Sequence, residues 1–266
     1  MTRILSGAVL LVLAVALVWF STAFIFFIVA EVLLLVAFGE YASLARANGI
    51  AIPEAPAALG AVLTAATFSR TAFSVPWLSI DIVLLVSLIA LAVFSMIRWD
   101  GGNGALAFVS ASLFPCFYLG LPVGTMIYLR ETAGYKALFL LVLTVAVSDS
   151  MQYFTGRAIG RHPLAAAISP KKTIEGAVGG FLFGGMFLAV LGNWWLPQMG
   201  VVMRAVLGAA IVAAGIAGDL FESMLKRSAG VKDSSALIPG HGGILDRLDA
   251  LLFAAPVYYY FVMRLA

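Results

Sequence analysis

The run VVMRAVLGAAIVAAGIAG, residues 201–218, decides the fold of this chain. It contains one charged residue, Arg204, and is otherwise apolar or small, as a helix in a membrane must be. After a charged segment, a second apolar run, LDALLFAAPVYYYFVMR, occupies residues 248–264. A helix needs roughly 20 apolar residues to cross a hydrocarbon core, and backbone in lipid must satisfy its own hydrogen bonds. The two runs therefore predict two membrane helices that are joined by a charged loop at one face of the membrane.

The same apolar character extends over the whole chain. Hydrophobic residues make up 63% of the 266 positions and charged residues 11%, which is outside the range of soluble globular domains. The period-2 alternation of a membrane barrel is absent, so we predict an all-α polytopic membrane protein. Nine candidate spans lie at about 4–20, 22–38, 53–69, 76–97, 104–122, 133–153, 176–196, 201–218 and 248–264.

We expect one integral membrane domain, residues 1–266, with an N-terminal helical part (1–140) and a C-terminal part (141–266) that carries the chemistry. The third span is rich in alanine and is interrupted by Pro53 and Pro56. Arg3 and the apolar stretch after it are also features of a cleaved signal peptide. Because another apolar span follows, we expect the first segment to be a membrane anchor instead.

The basic residues predict the orientation. With nine spans, one side of the membrane holds eleven of the sixteen cations: Arg3, Arg46, Arg98, Arg157, Arg161, Lys171, Lys172, Lys226, Arg227, Lys232 and Arg247. Cytoplasmic loops carry an excess of Lys and Arg. We therefore expect a protein of the bacterial inner membrane whose active site, a polar cavity, faces the cytoplasm.

Several classes of function have no support in the sequence. Cys116 is the single cysteine, which excludes an intramolecular disulfide and a cysteine metal cage. The net charge is only +3 and there is no basic tail, so nothing favours nucleic-acid binding. The sequence contains no Walker A pattern, no glycine fingerprint after a strand and no G-x-S-x-G motif, which excludes a soluble nucleotide-binding fold.

Ionisable groups at membrane depth are costly and mark candidate functional sites. Glu31 and Asp81 stand alone, and we interpret them as partners in helix packing. Asp149 differs, because it begins a polar helix face at offsets 0, 3, 4, 7, 8 and 11, formed by Asp149, Gln152, Tyr153, Gly156, Arg157 and Gly160. The alternative is that the glycines of this face only allow close packing of a neighbouring helix.

The segment SPKKT, residues 169–173, has the pattern of a helix start. Ser169 takes the capping position and Pro170 the first helical position, which places Lys171 and Lys172 in the first turn. Cations are unfavourable at that end of a helix dipole unless an anion binds there. The two lysines therefore indicate a substrate anion, or alternatively anionic lipid headgroups.

The segment GDLFESMLKR places charges on one helix face. This face is formed by Asp219, Glu222, Ser223, Lys226 and Arg227. It is the arrangement expected around a metal-bound phosphate, although Glu222–Lys226 and Ser223–Arg227 contacts within the helix are the simpler interpretation.

After Gly230 the segment VKDSSALIPGHGG has the composition of an ordered loop, in which glycine backbone N–H groups can approach phosphate oxygens. His241 is interpreted as a hydrogen-bonding anchor. Asp246 and Asp249 begin the last helix on one face, and the connection could bring Asp219 opposite Asp246. Carboxylates of this kind suit Mg²⁺. Together, the acids, cations and glycines indicate phosphoryl or nucleotidyl transfer at one membrane face.

The stretch SMLKRSAGVKDSSALIPGHGGILDRLD, residues 223–249, resembles the signature of the phosphatidate cytidylyltransferase family, the CDP-diacylglycerol synthases. The upstream SPKKTIEG, residues 169–176, is similar to a second motif of that family. The resemblance covers the C-terminal half, whereas residues 1–140 agree only in hydropathy. Met151 and Gln152 depart from the small residues found in many members.

The resemblance implies that phosphatidate attacks the α-phosphorus of CTP and yields CDP-diacylglycerol and pyrophosphate. It implies Mg²⁺ held by Asp219, Asp246 and Asp249, with a K⁺ near that cluster, and a homodimer. The implied catalytic residues are Asp149, Asp219, Asp246, Asp249 and Lys226. The implied substrate-binding residues are Lys171, Lys172, Thr173, Ser223, Arg227, Lys232, Asp233, His241, Gly242, Gly243 and Arg247.

Two other functions stay open at this point. A CTP-dependent enzyme that acts on an isoprenoid ether lipid phosphate or a polyprenol would use the same charged segment. A transporter is suggested by the intramembrane acids Glu31, Asp81 and Asp149, but no inverted repeat is visible and the charge collects at one face instead of the midplane.

Overall fold

The computed structural model describes residues 2–72, 78–99, 101–238 and 240–265, without the side chains of residues 2–8, 10, 11 and 265. The described chain is mostly helical. Its helices are α1 (Thr2–Phe20), α2 (Ala23–Ala47), α3 (Glu54–Ala66), α4 (Ile80–Arg98), α5 (Ala105–Pro115), α6 (Leu121–Thr132), α7 (Gly134–Ile159), α8 (Ile174–Trp195), α9 (Val201–Ser228) and α10 (Leu245–Leu265). A π-helical turn, Cys116–Gly120, joins α5 to α6.

Six helical segments of the described residues are long and apolar enough to cross a membrane: α2, α4, α5–α6, α7, α8 and α9. The predicted helical membrane protein is thereby confirmed, while the number of nine spans stays a prediction. The third predicted span coincides with α3, which has 13 residues and therefore a length of about 20 Å. That is shorter than a hydrocarbon core of about 30 Å. Residues 76 and 77 of the fourth predicted span lie outside the described residues.

Three helices continue beyond the predicted ends of their apolar runs. α2 ends at Ala47, α7 at Ile159 and α9 at Ser228, whereas hydropathy alone ends these spans at 38, 153 and 218. A helix does not have to end where the hydrocarbon ends. The polar extensions therefore form rigid helical supports for the charged residues discussed below.

The four C-terminal helices pack in sequence order, α7 on α8, α8 on α9 and α9 on α10. Glycines allow the close approach. A Cβ on Gly208 would lie 2.8 Å from the Cα of Gly185, and a Cβ on Gly218 would lie 2.4 Å from the carbonyl oxygen of Asp249. The contact at Gly218 brings the adjacent Asp219 of α9 next to the first turns of α10.

Both predicted parts of the chain contribute to one hydrophobic cluster, whose buried residues extend from Val18 to Val262. α10 contacts α6 and α2 of the N-terminal part. The Tyr41 hydroxyl donates a hydrogen bond of 2.8 Å to the carbonyl oxygen of Ala111 and so ties α2 to α5. The N-terminal helices thus support the helices that carry the predicted chemistry.

The predicted helix start at SPKKT is wrong. Residues Ser169–Thr173 form strand β2, which pairs antiparallel with β1 (Pro163–Ala165). The residue before a proline is disfavoured in the α conformation, which applies to Ser169. The cap of α8 is Thr173, whose Oγ1 accepts a hydrogen bond of 3.1 Å from the Gly176 N–H. Lys171 and Lys172 therefore precede the helix on a hairpin.

Candidate active site

The predicted site residues gather at one end of the helical bundle. This end contains the last turns of α2, α7 and α9, the first turns of α8 and α10, the β1–β2 hairpin and the loop of residues 229–244. Lys172 of the hairpin contacts Asp219 of α9, and Glu40 of α2 contacts the first residue of α10. Segments that are distant in the sequence thus meet in one polar region.

An acid cluster, defined as Asp149, Asp219 and Asp249, combines carboxylates from α7, α9 and α10. The three lie close enough for their charges to act on one another. Lys172 forms an ion pair with Asp219. The Gln152 side-chain amide donates a hydrogen bond of 3.0 Å to Asp149 Oδ1. Like charges held at this spacing favour a bound cation, because a cation removes their mutual repulsion.

Ser223 lies beside the same cluster. Its hydroxyl is 3.4 Å from Asp219 Oδ1, one helical turn away, and donates to it. The predicted contact between Ser223 and Arg227 does not form. The Arg227 guanidinium instead donates a hydrogen bond of 3.1 Å to the Val231 carbonyl oxygen and is exposed. Arg227 therefore stabilises the end of α9 in this structure.

A second, buried group surrounds Lys226. Its ammonium forms ion pairs with Glu222 and Asp246, and the predicted Glu222–Lys226 contact is thereby confirmed. Asp246 Oδ2 accepts hydrogen bonds from the Ser234 N–H at 2.9 Å, the Ser234 hydroxyl at 2.7 Å and the Gly243 N–H at 2.8 Å. An oxygen pair that only accepts belongs to an ionised carboxylate. Asp246 thus attaches the loop to α9 and α10.

This geometry modifies the predicted metal set. Asp249 is the α10 acid whose charge acts on Asp219, whereas Asp246 is already bound by Lys226 and the loop. In the described residues no group of three or more His, Cys, Asp or Glu side chains is arranged so that it could hold a metal ion. A protein commonly supplies one or two carboxylates to Mg²⁺, and substrate phosphates supply other ligands. Asp219 and Asp249 are two such carboxylates.

Glu40 is a site residue that the sequence did not reveal. It is buried on α2, and its carboxylate accepts four hydrogen bonds from the loop and the start of α10. The only signal for it in the sequence is an acid on an apolar helix with no basic residue three or four positions away. That signal does not indicate a partner some 195 residues further along the chain.

The glycines of the loop approach carboxylates of the protein itself. Gly242 has a φ of +77°, and a Cβ there would lie 2.5 Å from Asp246 Oδ2. A Cβ on Gly243 would lie 2.2 Å from Glu40 Oε1. The Gly243 N–H donates to Asp246 in this structure, and the binding of a phosphate by Gly243 stays a prediction. Pro239 of the same motif lies outside the described residues.

We expect Gly243→Ala to displace the loop, because the added methyl group would overlap Glu40 and Ser234. The thermal unfolding temperature in detergent should fall, by an amount that corresponds to roughly 1–3 kcal/mol of overpacking. Gly39→Ala is the matched control, since a Cβ on Gly39, next to Glu40 in α2, has nothing within 4 Å. Equal unfolding temperatures of the two variants would contradict the close approach.

The loop lines an open cavity of about 330 Å³. It is lined by Lys232, Asp233, Ser235, Ala236, Ile238, Gly240 and Gly242. Lys232 and Asp233 are exposed, and the part of the chain that the structure describes offers them no ion pair. Two charged groups that the protein does not use for itself are available for a polar ligand.

The remaining predicted residues have less defined surroundings. Lys171 and Arg247 are exposed. The charge of Arg247 acts on Asp149. The backbone N–H of His241 donates a hydrogen bond of 2.9 Å to the Ile238 carbonyl oxygen. The anchoring role of the His241 side chain stays a prediction.

The glycines on the Asp149 face serve packing. A Cβ on Gly156 or Gly160 would lie 2.9 or 2.7 Å from Thr173 Oγ1. For these glycines the packing alternative is therefore confirmed, while Asp149 belongs to the acid cluster. α7 ends at Ile159, so Gly160 follows the helix and caps it.

The two isolated acids differ in burial, and only Glu31 lies in the packed bundle. Asp81 is exposed in the first turn of α4. Glu31 is buried, but neither of its oxygens has a hydrogen-bond partner among the described residues. Neither residue lies with the acid cluster.

Comparison with known proteins gives a family match over nearly the whole chain and relatives that match part of it. Residues 1–265 match the model of the cytidylyltransferase family. A phosphatidate cytidylyltransferase of Aquifex aeolicus is 38% identical over 175 residues, which are 66% of this chain and 63% of that protein. One from Haemophilus influenzae is 44% identical over 134 residues, 48% of this chain and 46% of that protein. The matched regions span about half to nearly two thirds of these relatives.

Proposed function

The chain belongs to the cytidylyltransferase family, and from this premise we propose that it transfers the cytidylyl group of CTP to phosphatidate. An oxygen of the phosphatidate phosphate bonds to the α-phosphorus of CTP. The bond from that phosphorus to the bridging oxygen of pyrophosphate breaks, and CDP-diacylglycerol forms. The observation that carries the proposal is the acid cluster with two lysines beside it, at the membrane end where a lipid headgroup and a soluble nucleotide can meet.

The main obstacle to this reaction is the repulsion between two polyanions. Phosphate monoesters are largely ionised at pH 7, because their second pKa is near 6, so the nucleophile needs no strong general base. Lys172 and Lys226 place ammonium groups among the acids. They are positioned to neutralise phosphate charge, which is the main contribution of proteins to phosphoryl transfer.

We propose that Asp219 and Asp249 hold a Mg²⁺ ion. When bound, the ion would neutralise and orient the phosphates of CTP. Asp246 is the third predicted ligand, but Lys226 binds its Oδ1 in this structure. It would hold the ion only after Lys226 leaves that oxygen. Lys226 could give up this contact and keep Glu222, while Oδ2 keeps its three contacts with the loop.

Exposed apolar side chains on α7 and α8 support a lipid substrate. Phe154 and Ile159 of α7 and Val178 of α8 are each at least half exposed. They lie on the helices that flank the β1–β2 hairpin. The diacylglycerol chains could stay in lipid along this surface while the headgroup reaches Lys171 and Lys172.

The distribution of cations supports a cytoplasmic position for the site in the bacterial inner membrane. Arg46, Arg157, Arg161, Lys226 and Arg227 lie at the end of the bundle that holds the acid cluster. The K⁺ ion and the homodimer remain predictions of the family resemblance. Neither the alternative lipid substrates nor the transporter is favoured by a contact in the site.

The test is to incubate the purified protein with phosphatidate vesicles, labelled CTP and Mg²⁺. We expect a lipid-soluble cytidine product and an equal amount of pyrophosphate. Protein with Asp219→Asn should form neither. Turnover of a polyprenol or an isoprenoid ether lipid phosphate but not of phosphatidate would replace the proposed substrate, and no product from any of these lipids would reject the proposal.

A further inference from the structure

Glu40 lies in the N-terminal part, outside both motifs that carry the family resemblance. We infer that Glu40 is a positioning residue, which holds the loop of residues 229–244 in the shape that binds the nucleotide. This inference rests on the proposed function, because the nucleotide is CTP. It adds a residue from α2 to a site that otherwise comes from α7 to α10.

The Glu40 carboxylate binds the middle of the loop and its C-terminal end. Oε1 accepts hydrogen bonds from the Ser235 hydroxyl at 2.7 Å and the Ile244 N–H at 3.0 Å. Oε2 accepts from the Ser234 hydroxyl at 3.0 Å and the Leu245 N–H at 2.7 Å. Each oxygen therefore joins one serine in the middle of the loop to one backbone N–H where the loop meets α10.

The Glu40 carboxylate is buried among hydrogen-bond donors. All four partners can donate, and the residue is only 6% exposed. Leu245 begins α10, so the carboxylate lies at the positive end of the helix dipole, where a negative charge is stabilised. Hydrogen bonds to a buried charge are stronger than neutral ones. Glu40 is consequently a firm attachment point for the loop.

Glu40 and Asp246 act on the same segment from two sides. The Ser234 hydroxyl lies 3.0 Å from Glu40 Oε2 and 2.7 Å from Asp246 Oδ2, so the two carboxylates share its single proton. The backbone N–H of Gly243 binds Asp246, while that of Ile244 binds Glu40. The cavity of about 330 Å³ lies in the segment held this way, and its lining includes Ser235 and Gly242. If the loop lost its hydrogen bonds to Glu40 or to Asp246, the cavity wall that carries Lys232 and Asp233 would move.

The contacts assign Glu40 to positioning and not to chemistry. Both oxygens are used by the loop, so they are not available to a metal ion or a phosphate. α2 is held independently by buried apolar residues such as Leu34 and Ala37 and by the Tyr41–Ala111 hydrogen bond. Loss of Glu40 should therefore loosen the loop and leave the bundle folded.

Glu40→Gln in the full chain tests the inference. Each carboxylate oxygen of Glu40 accepts a hydrogen bond from a backbone N–H. In either orientation of the glutamine side chain, its NH₂ group would therefore replace one of these acceptors and face an N–H donor. We expect the KM for CTP to rise roughly tenfold or more, which corresponds to the loss of a hydrogen bond to a charged group, with a smaller change in kcat. Trypsin should cut within residues 227–247 faster than in the wild type.

Glu31→Gln is the matched control, because Glu31 is also a buried glutamate of α2 but makes no hydrogen bond among the described residues. It should change neither the KM for CTP nor the trypsin pattern. Ser235→Ala serves as a milder variant if Glu40→Gln does not fold. It removes one contact to Glu40 and should raise the KM for CTP roughly threefold.

A normal KM for CTP and normal trypsin cleavage in Glu40→Gln would overturn the inference. A lower unfolding temperature with normal kinetics of the folded fraction would also overturn it, because that is the result of a purely structural residue. The trypsin measurement needs no turnover. If the wild type forms no lipid product, the proposed function fails, while the effect of Glu40 on the loop is still measured.

Discussion

Asp246→Asn should reduce turnover by roughly 100-fold or more, the scale of a small displacement of reacting groups. The carboxylate receives the Lys226 ammonium on Oδ1 and three hydrogen bonds from the loop on Oδ2. An asparagine has one acceptor oxygen, so its NH₂ group must face donors in either orientation. The loop and Lys226 would therefore lose their common anchor.

The measurement is the initial rate of cytidylyl transfer to phosphatidate, together with the unfolding temperature in detergent. From the sequence alone, Asp246→Asn should leave folding intact, because Asp246 would only bind metal. The contacts with the loop add a structural role, so we expect faster trypsin cleavage between residues 227 and 247 as well. Asp81→Asn, at an exposed acid of α4, is the control. A rate in Asp246→Asn within twofold of the control would remove Asp246 from the site.

Lys226→Met should destabilise the protein by about 3–5 kcal/mol, the cost of breaking a buried ion pair. Lys226 is buried between Asp246 and Glu222, which is fully buried. Without the ammonium, two buried carboxylates remain without a counter-charge. Turnover of the folded fraction should fall at least tenfold, since Lys226 also supplies charge for a phosphate, and tenfold corresponds to about 1.4 kcal/mol.

Chemical unfolding in mixed micelles measures the loss of stability in Lys226→Met. Lys136→Met is the matched control, because Lys136 is exposed at the start of α7 and exposed substitutions usually change stability by less than about 0.5 kcal/mol. The double variant Glu222→Gln/Lys226→Met should recover part of the stability, since one uncompensated carboxylate is removed. Equal stabilities of Lys226→Met and Lys136→Met would show that the buried ion pairs do not form.

The sequence predicted the helices of this fold better than their ends. Hydropathy located the apolar runs around 201–218 and 248–264, because the length of a membrane helix follows from the thickness of the bilayer. It could not show that α9 continues to Ser228. Beyond the hydrocarbon, helix length depends on capping and on tertiary contacts such as those of Lys226.

The helix periodicity also identified most of the charged residues of the site. Asp219 and Lys226 lie on one helix, as predicted, and Asp149 and Asp249 reach Asp219 from neighbouring helices. Which acid meets which lysine could not be predicted, because these pairs depend on the packing of α7 to α10. The close contact at Gly218, for example, places α9 directly against α10 beside Asp219 and Asp249.

Two features were beyond local pattern reading. SPKKT fits a helix start by composition, but pairing with Pro163–Ala165 makes it a strand. Glu40 bonds to Ser235, 195 residues away, and a single acid on an apolar helix does not identify such a partner. In both cases a tertiary contact outweighs the local preference of the chain.

The central claim is that the acid cluster binds a divalent cation, and Mn²⁺ binding followed by electron paramagnetic resonance tests it without turnover. The wild type and Asp81→Asn should bind Mn²⁺ with the same affinity. Asp219→Asn and Asp249→Asn should each bind it at least tenfold more weakly, a loss of about 1.4 kcal/mol. Wild-type affinity in both cluster variants would contradict the account, because the carboxylates of α9 and α10 would then not hold the ion.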